Sequence, residues 1–178
     1  VTLLCPRTLS ILMKTIYIAR HAKSSWRNTQ IIDVDRPLKS SGIIALQKIA
    51  ERLKESEPEL DAIYTSPAVR AAHTALIHAR YLNFPENRIE IRNSIYRQGK
   101  EGIYELVKSV ENNLNAIMVV GHDPSLTHFI NDFLTIPLEK MQTSSVMKIE
   151  LNAENWSQIR FAEVKQLIYF NRQETKEL

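Results

Sequence analysis

The run Ala116-Ile-Met-Val-Val120 constrains the fold more than any other stretch of this sequence. Five consecutive apolar residues without polar alternation suit a β-strand covered on both faces, and such strands belong to sheets sandwiched between helices. The segments around it supply the rest of that architecture. Thr15–Ala19, Asp61–Thr65 and Arg88–Ile91 read as shorter strands, each ending at polar or turn-forming residues. Between them lie helical patterns: one capped by Ser40 or Ser41 and carrying Ile44, Leu46, Ile49, Ala50 and Leu53, then an Ala-rich one after Pro67 that runs to about Leu82. A third spans Glu101–Val110 and a fourth follows Pro124 to about Leu134. Val146–Leu151 and Gln158–Val164 read as later strands.

The order β-α-β-α-β-α-β-α-β predicts an α/β fold: a three-layer sandwich with a mostly parallel central sheet flanked by helices. At 178 residues the chain fits one domain, expected over residues 13–170, with a polar, frayed tail over 171–178. Val1–Leu12 is apolar but is interrupted by Arg7 and lacks a small-residue cleavage site. It reads as a disordered leader or a start-site extension, with Met13-Lys14 as the natural beginning.

The formal net charge of +3 comes from basic and acidic residues interspersed along the chain, so neither a nucleic-acid arm nor a polynucleotide partner is expected. No run approaches the length of a membrane span, and the single cysteine, Cys5, excludes a disulfide framework. These features fit a cytoplasmic protein. The five histidines lack zinc spacing, since His73 and His78 are five residues apart and do not share a helix face.

In α/β sheets, ligands bind beyond the carboxyl ends of the strands. Here the first strand delivers Arg20 and His21, the second Ser66 with Arg70 on the following helix, and the fourth Gly121 and His122. Two arginines and two histidines would meet at one rim. Guanidinium groups and helix N-termini hold phosphoryl groups, and a neutral histidine has a lone pair able to attack phosphorus.

Three motifs, Thr15–Trp26 (TIYIARHAKSSW), Tyr64–Thr74 (YTSPAVRAAHT) and Val119–Ser125 (VVGHDPS), resemble the histidine phosphatase superfamily, also called the phosphoglycerate mutase-like family. The Arg-His-Ala-Lys-Ser form of the first motif, with Asp35-Arg36-Pro37-Leu38 and Gly42, is similar to the small SixA-type phosphohistidine phosphatases of bacteria. The resemblance covers about Met13 to Leu151. It implies His21 as the nucleophile, forming a phosphohistidine intermediate. Arg20, Arg70 and His122 would clamp the phosphoryl oxygens, with no metal or organic cofactor. The implied substrate is phosphohistidine on a phosphotransfer protein, or else a small phosphorylated molecule.

The proton donor is less defined. Neither Glu101 nor Glu105 matches the glutamate of the larger relatives. Asp123, the second half of a His-Asp pair, is the candidate acid, against a plainer role in capping the next helix. A labile P–N bond tolerates a missing acid better than an ester does, which favours phosphohistidine.

Lys23, Ser24 and Trp26 are expected to shape the pocket mouth. His73 is a candidate for lining it, with packing or capping as the alternative. His78 and His128 are expected at the surface or just behind the site, and Asp33, Asp35 and Arg36 are expected mainly to fix the long loop. A phosphatase of small esters and a catalytically inactive phosphate-binding module are the rival readings.

Overall fold

The computed structural model of the protein describes residues 13–26 and 30–178; the predicted leader over residues 1–12 lies outside them. Seven strands form one sheet: β1 Met13–Arg20, β2 Ala62–Thr65, β3 Ile89–Ile91, β4 Ala116–Gly121, β5 Val146–Asn152, β6 Glu163–Phe170 and β7 Thr175–Glu177. The helices are α1 Ser40–Glu55, α2 Val69–Tyr81, the short α3 Ser94–Arg97, α4 Gly99–Lys108 and α5 Ser125–Asn131. Short 3₁₀ turns lie at Asp33–Asp35, Glu86–Arg88 and Trp156–Phe161.

The apolar run beginning at Ala116 behaves as its composition requires. Strand β4 lies third from one edge of the order β3-β2-β4-β1-β5-β6-β7, and alternate residues feed separate cores. Ile117 and Val119, with Ile16 and Ile18 of β1, pack on one face against Ile103, Val107, Leu126 and Phe129 of α4 and α5. Met118 and Val120, with Tyr17 and Ala19, pack on the other against Ile49 and Leu53 of α1 and Ala71, Ala75 and Ala79 of α2. Burial on both faces explains why these strands show no polar alternation.

The sheet is mixed, which corrects the expectation of a mostly parallel one. β3, β2, β4 and β1 pair in parallel, whereas β1–β5, β5–β6 and β6–β7 are antiparallel. The reason is connectivity. A parallel return needs a crossover of a dozen or more residues, usually helical. Only the 3₁₀ turn Trp156–Phe161 separates β5 from β6, so the chain folds straight back. That turn occupies much of the predicted strand Gln158–Val164, and the strand itself runs over Glu163–Phe170. The predicted frayed tail is also corrected, because Thr175–Glu177 pairs with Ile168–Phe170.

Helix α1 starts at Ser40 with Lys39 in the N-cap position and no side-chain cap, so neither serine plays the predicted capping role. Of the two histidines expected at the surface or just behind the site, His78 is fully buried on α2 and His128 is exposed. Among the described residues no helix is long and apolar enough to cross a membrane.

Candidate active site

The registers of the three central strands place their carboxyl ends side by side. Arg20 pairs with Gly121 and Thr65 with Val120, so the next residues, His21, His122 and Ser66, leave the sheet at nearly one level. The His21 amide donates to the Gly121 carbonyl at 3.1 Å, and the Ser66 amide to that of Val120 at 3.0 Å. Gly121 is required at this junction, since a Cβ there would come within 2.8 Å of Ile95 Cγ2. The His21 and His122 rings lie 4.9 Å apart, centroid to centroid.

Arg20, His21, Arg70 and His122, predicted to converge, line one cavity of about 270 Å³ together with Lys23, Ser24, Trp26, Arg36, Lys39, Asp123 and Thr143. His73 is not among them. It is exposed on the outer side of α2, where it lines a separate depression with Leu38 and Ile43. The next residue, Thr74, one helical turn after Arg70, turns inward instead: its hydroxyl donates to the Arg70 carbonyl at 2.7 Å and accepts from the Ala22 amide at 3.0 Å. It thus ties the loop carrying His21 to the helix carrying Arg70. Glu101 is occupied elsewhere, in an ion pair with Arg160.

His21 is held in one orientation. Its Nδ1 lies 2.7 Å from the Ala22 carbonyl oxygen, and because a carbonyl only accepts, Nδ1 carries the proton. The lone pair is therefore on Nε2. Burial lowers the pKa of this ring to about 4, and the charges of Arg70, Arg20 and Arg36 push the same way, so the imidazole is neutral near pH 7.

His122 is also neutral, with burial as the largest cause of a pKa near 3, followed by the neighbouring His21 and Arg70. Its Nε2 lies 2.7 Å from Ser66 Oγ, which accepts from the Ala68 amide at 3.2 Å. Where the Ser66 hydroxyl donates to His122 Nε2, its one acceptor among the described residues, the ring proton is on Nδ1. That Nδ1 is buried and has no partner among the described residues. Arg20 Nε is orphaned in the same way. Buried donors without acceptors are costly, and an anion in the cavity would satisfy both.

The arginines are anchored differently. Arg20 donates through Nη1 to the Met141 carbonyl, and the same nitrogen sits 2.9 Å from Asp123 Oδ2 in a charge contact without hydrogen-bond alignment. The other Asp123 oxygen accepts from the Thr127 hydroxyl at 2.7 Å. No side chain caps α5, so the predicted capping role of Asp123 gives way to that of counter-ion to Arg20.

Arg70 donates to the carbonyl and, at 2.8 Å, to the carboxylate of Asp33. Asp33 also accepts from Arg36 at 2.7 Å and from the Tyr96 hydroxyl at 2.8 Å. Burial pushes the Asp33 carboxyl up, yet the hydrogen bonds from Tyr96, Arg70 and Arg36 together outweigh it and hold the group at about 2.

Arg36 further donates to the Ser24 hydroxyl and the Ser25 carbonyl and stacks 3.2 Å from the centroid of Trp26. Asp33 and Arg36 do fix the loop, as expected, but they do so at the cavity itself. Tyr96 and Thr143 reach the site from segments that contain no motif, and Lys39 follows Asp35-Arg36-Pro37-Leu38 without a signal of its own. Among the described residues, no group of three or more His, Cys, Asp or Glu side chains is arranged to hold a metal ion.

Residues 16–93 match the model of the histidine phosphatase superfamily, branch 1. Over that segment, which holds Arg20, His21 and Arg70, the chain is similar to the superfamily. Two uncharacterized proteins, from two Mycobacterium tuberculosis strains, are each 33% identical over 106 residues, or 60% of this chain. The chain spans 63% of the length of those curated relatives. Among solved structures, the fold is shared with the protein histidine phosphatase SixA complexed with tungstate: TM-score 0.73, 19% identity, 89% of this chain and 97% of that one. A phosphoglycerate mutase from Bacillus anthracis str. Sterne matches with TM-score 0.60, 16% identity, and 83% and 95% coverage.

Proposed function

We propose that this protein is a phosphatase that uses His21 Nε2 as its nucleophile and acts on phosphohistidine carried by a protein. The observation that carries the reading is the state of His21: Nδ1 is committed to the Ala22 carbonyl, and Nε2 holds a lone pair in a cavity lined by Arg20, Arg70 and His122. A neutral imidazole in that setting is a nucleophile rather than an acid.

In the proposed reaction, Nε2 attacks phosphorus and forms a new P–N bond as the bond to the substrate imidazole breaks. The departing nitrogen takes a proton from solvent. Water then attacks the phosphorylated His21, releasing inorganic phosphate and restoring the ring. Arg20, Arg70 and the Nδ1 proton of His122 supply the positive potential that phosphoryl transfer needs. The charge a metal ion supplies in other phosphotransferases is here assigned to the two guanidinium groups.

Two features support a phosphoamide on a protein over a small ester. The cavity carboxylate, Asp123, is already engaged by Arg20 and Thr127, which leaves no free acid to protonate an alkoxide. Trp26, at the mouth, is 70% exposed, as a surface-docked substrate would require. The fold shared with a protein histidine phosphatase points the same way.

The test is to incubate the protein with ³²P-labelled phosphoramidate and quench in alkali. A labelled, acid-labile and alkali-stable adduct is expected on the wild type and none on His21→Ala. Turnover of phosphohistidine retained in His21→Ala would overturn the reading.

A further inference from the structure

The cavity wall carries more positive charge than one phosphoryl group uses. Arg20 is matched by Asp123, and Arg36 and Arg70 share Asp33. Lys23 and Lys39 also line the cavity, and among the described residues neither ammonium group has a carboxylate or hydrogen-bond partner.

Their placement is built into the fold. Ser24 and Leu38 form an isolated antiparallel bridge, and the Lys39 amide donates to the Lys23 carbonyl at 2.8 Å while that of Ser25 donates to Pro37 at 2.9 Å. Lys23 and Lys39 are therefore directly opposed, and cross-strand neighbours project to the same side. The first turn of α1 presses on this pairing from behind. A Cβ on Gly42 would come within 2.5 Å of the Lys23 carbonyl oxygen, so only glycine lets the helix approach so closely. Like charges opposed across a strand pair destabilise it. Here both face a cavity that already suits an anion, and an additional anion between them would reverse the sign of that term.

We propose that Lys23 and Lys39 form a second anion subsite beside the phosphoryl pocket, so that the protein prefers phosphorylated ligands bearing another negative group next to the phosphoryl. The chemistry recognised is a carboxylate or a second phosphoryl group. As a statement about substrates, this rests on the phosphatase reading above; as a statement about binding, it does not.

Two arms test it on the full chain. In the first, inorganic phosphate and methylenediphosphonate, whose P–C bonds a phosphatase does not cleave, are titrated calorimetrically into wild type and Lys23→Gln/Lys39→Gln. The wild type is expected to favour methylenediphosphonate by about tenfold or more, and the double variant to reduce that ratio to about twofold. An unchanged ratio in a variant with a native circular dichroism spectrum overturns the subsite.

In the second arm, kcat/KM is compared for phosphohistidine peptides flanked by Glu or by Gln. A Glu preference that collapses in the double variant assigns the subsite to protein carboxylates. Its absence, with the first arm positive, assigns the subsite to a second phosphoryl group. If the wild type turns over neither peptide, the phosphatase reading fails while the calorimetry still decides the subsite.

Discussion

Asp33 Oδ2 lies 2.8 Å from Arg70 Nη2, so one of the three arginines lining the cavity is held by a carboxylate from the loop that follows His21. The same carboxylate receives Arg36 and Tyr96. Asp33 therefore sets the direction of Arg70 and also opposes any anion approaching it.

Replacing Asp33 by Asn separates these two effects. The amide oxygen can still accept from Arg70 or Tyr96, but the negative charge is gone. Inorganic phosphate is expected to bind about threefold to tenfold tighter to Asp33→Asn, measured as a competitive inhibition constant. Weaker binding would show that the charge is needed to hold Arg70 in place.

Ser66 acts on the site through His122. With its hydroxyl donating to Nε2, the His122 ring presents Nδ1–H; without it, either tautomer is available. Ser66→Ala is expected to lower kcat about tenfold, near the net worth of one hydrogen bond. Ring ¹⁵N spectra should show Nε2 of His122 losing its accepted hydrogen bond. A loss of activity with an unchanged ring spectrum would reduce Ser66 to a packing role.

Acid should destabilise the fold well above the carboxylate range. His78 is buried with both ring nitrogens unpartnered, and burial lowers its pKa to about 4; His21 and His122 lie at about 4 and 3. Unfolded histidines titrate near 6.5. Between that pH and about 4 the unfolded chain binds more protons than the folded one. Stability is thus complete above about pH 6.5 and falls by about 1 kcal/mol per pH unit for each such histidine as pH drops. Asp33, held at about 2, adds to the loss only below about pH 4. Urea melts at pH 7 and pH 5 should show this loss, and His78→Leu should remove one histidine's share of it. An unchanged slope in His78→Leu would mean that His78 is not the neutral buried group described.

The parts of the site legible in the sequence are those that leave a strand directly, with Arg70 added from the first turn of the helix that follows Ser66-Pro67. His21 follows β1 and His122 follows β4, so an apolar run ending at a histidine was enough to place each. The antiparallel half of the sheet was not legible in that way. The composition of Val146–Leu151 reads as a strand but carries no direction, and only the return from β5 to β6 is a connection too short for a crossover. His73, three residues after Arg70, faces the exposed depression lined by Leu38 and Ile43 rather than the cavity, and His78, five residues further on, lies on the buried side of α2. Asp33, Arg36 and Tyr96 meet only in the folded chain, where Asp33 and Tyr96 are brought together across 63 residues of sequence. No local pattern marks such a meeting.

Asp123 offers the sharpest separation between proton donation and charge positioning. As a general acid it would matter for esters, whose alkoxide leaving groups need a proton, and little for a P–N bond. As the counter-ion of Arg20 it would matter equally for both, because the same guanidinium faces the phosphoryl group in each reaction. Asp123→Asn is therefore expected to lower kcat/KM by a similar factor, about tenfold, on phosphoimidazole and on an aryl phosphate. A selective loss on the ester would restore Asp123 as the acid and move the protein toward ester chemistry.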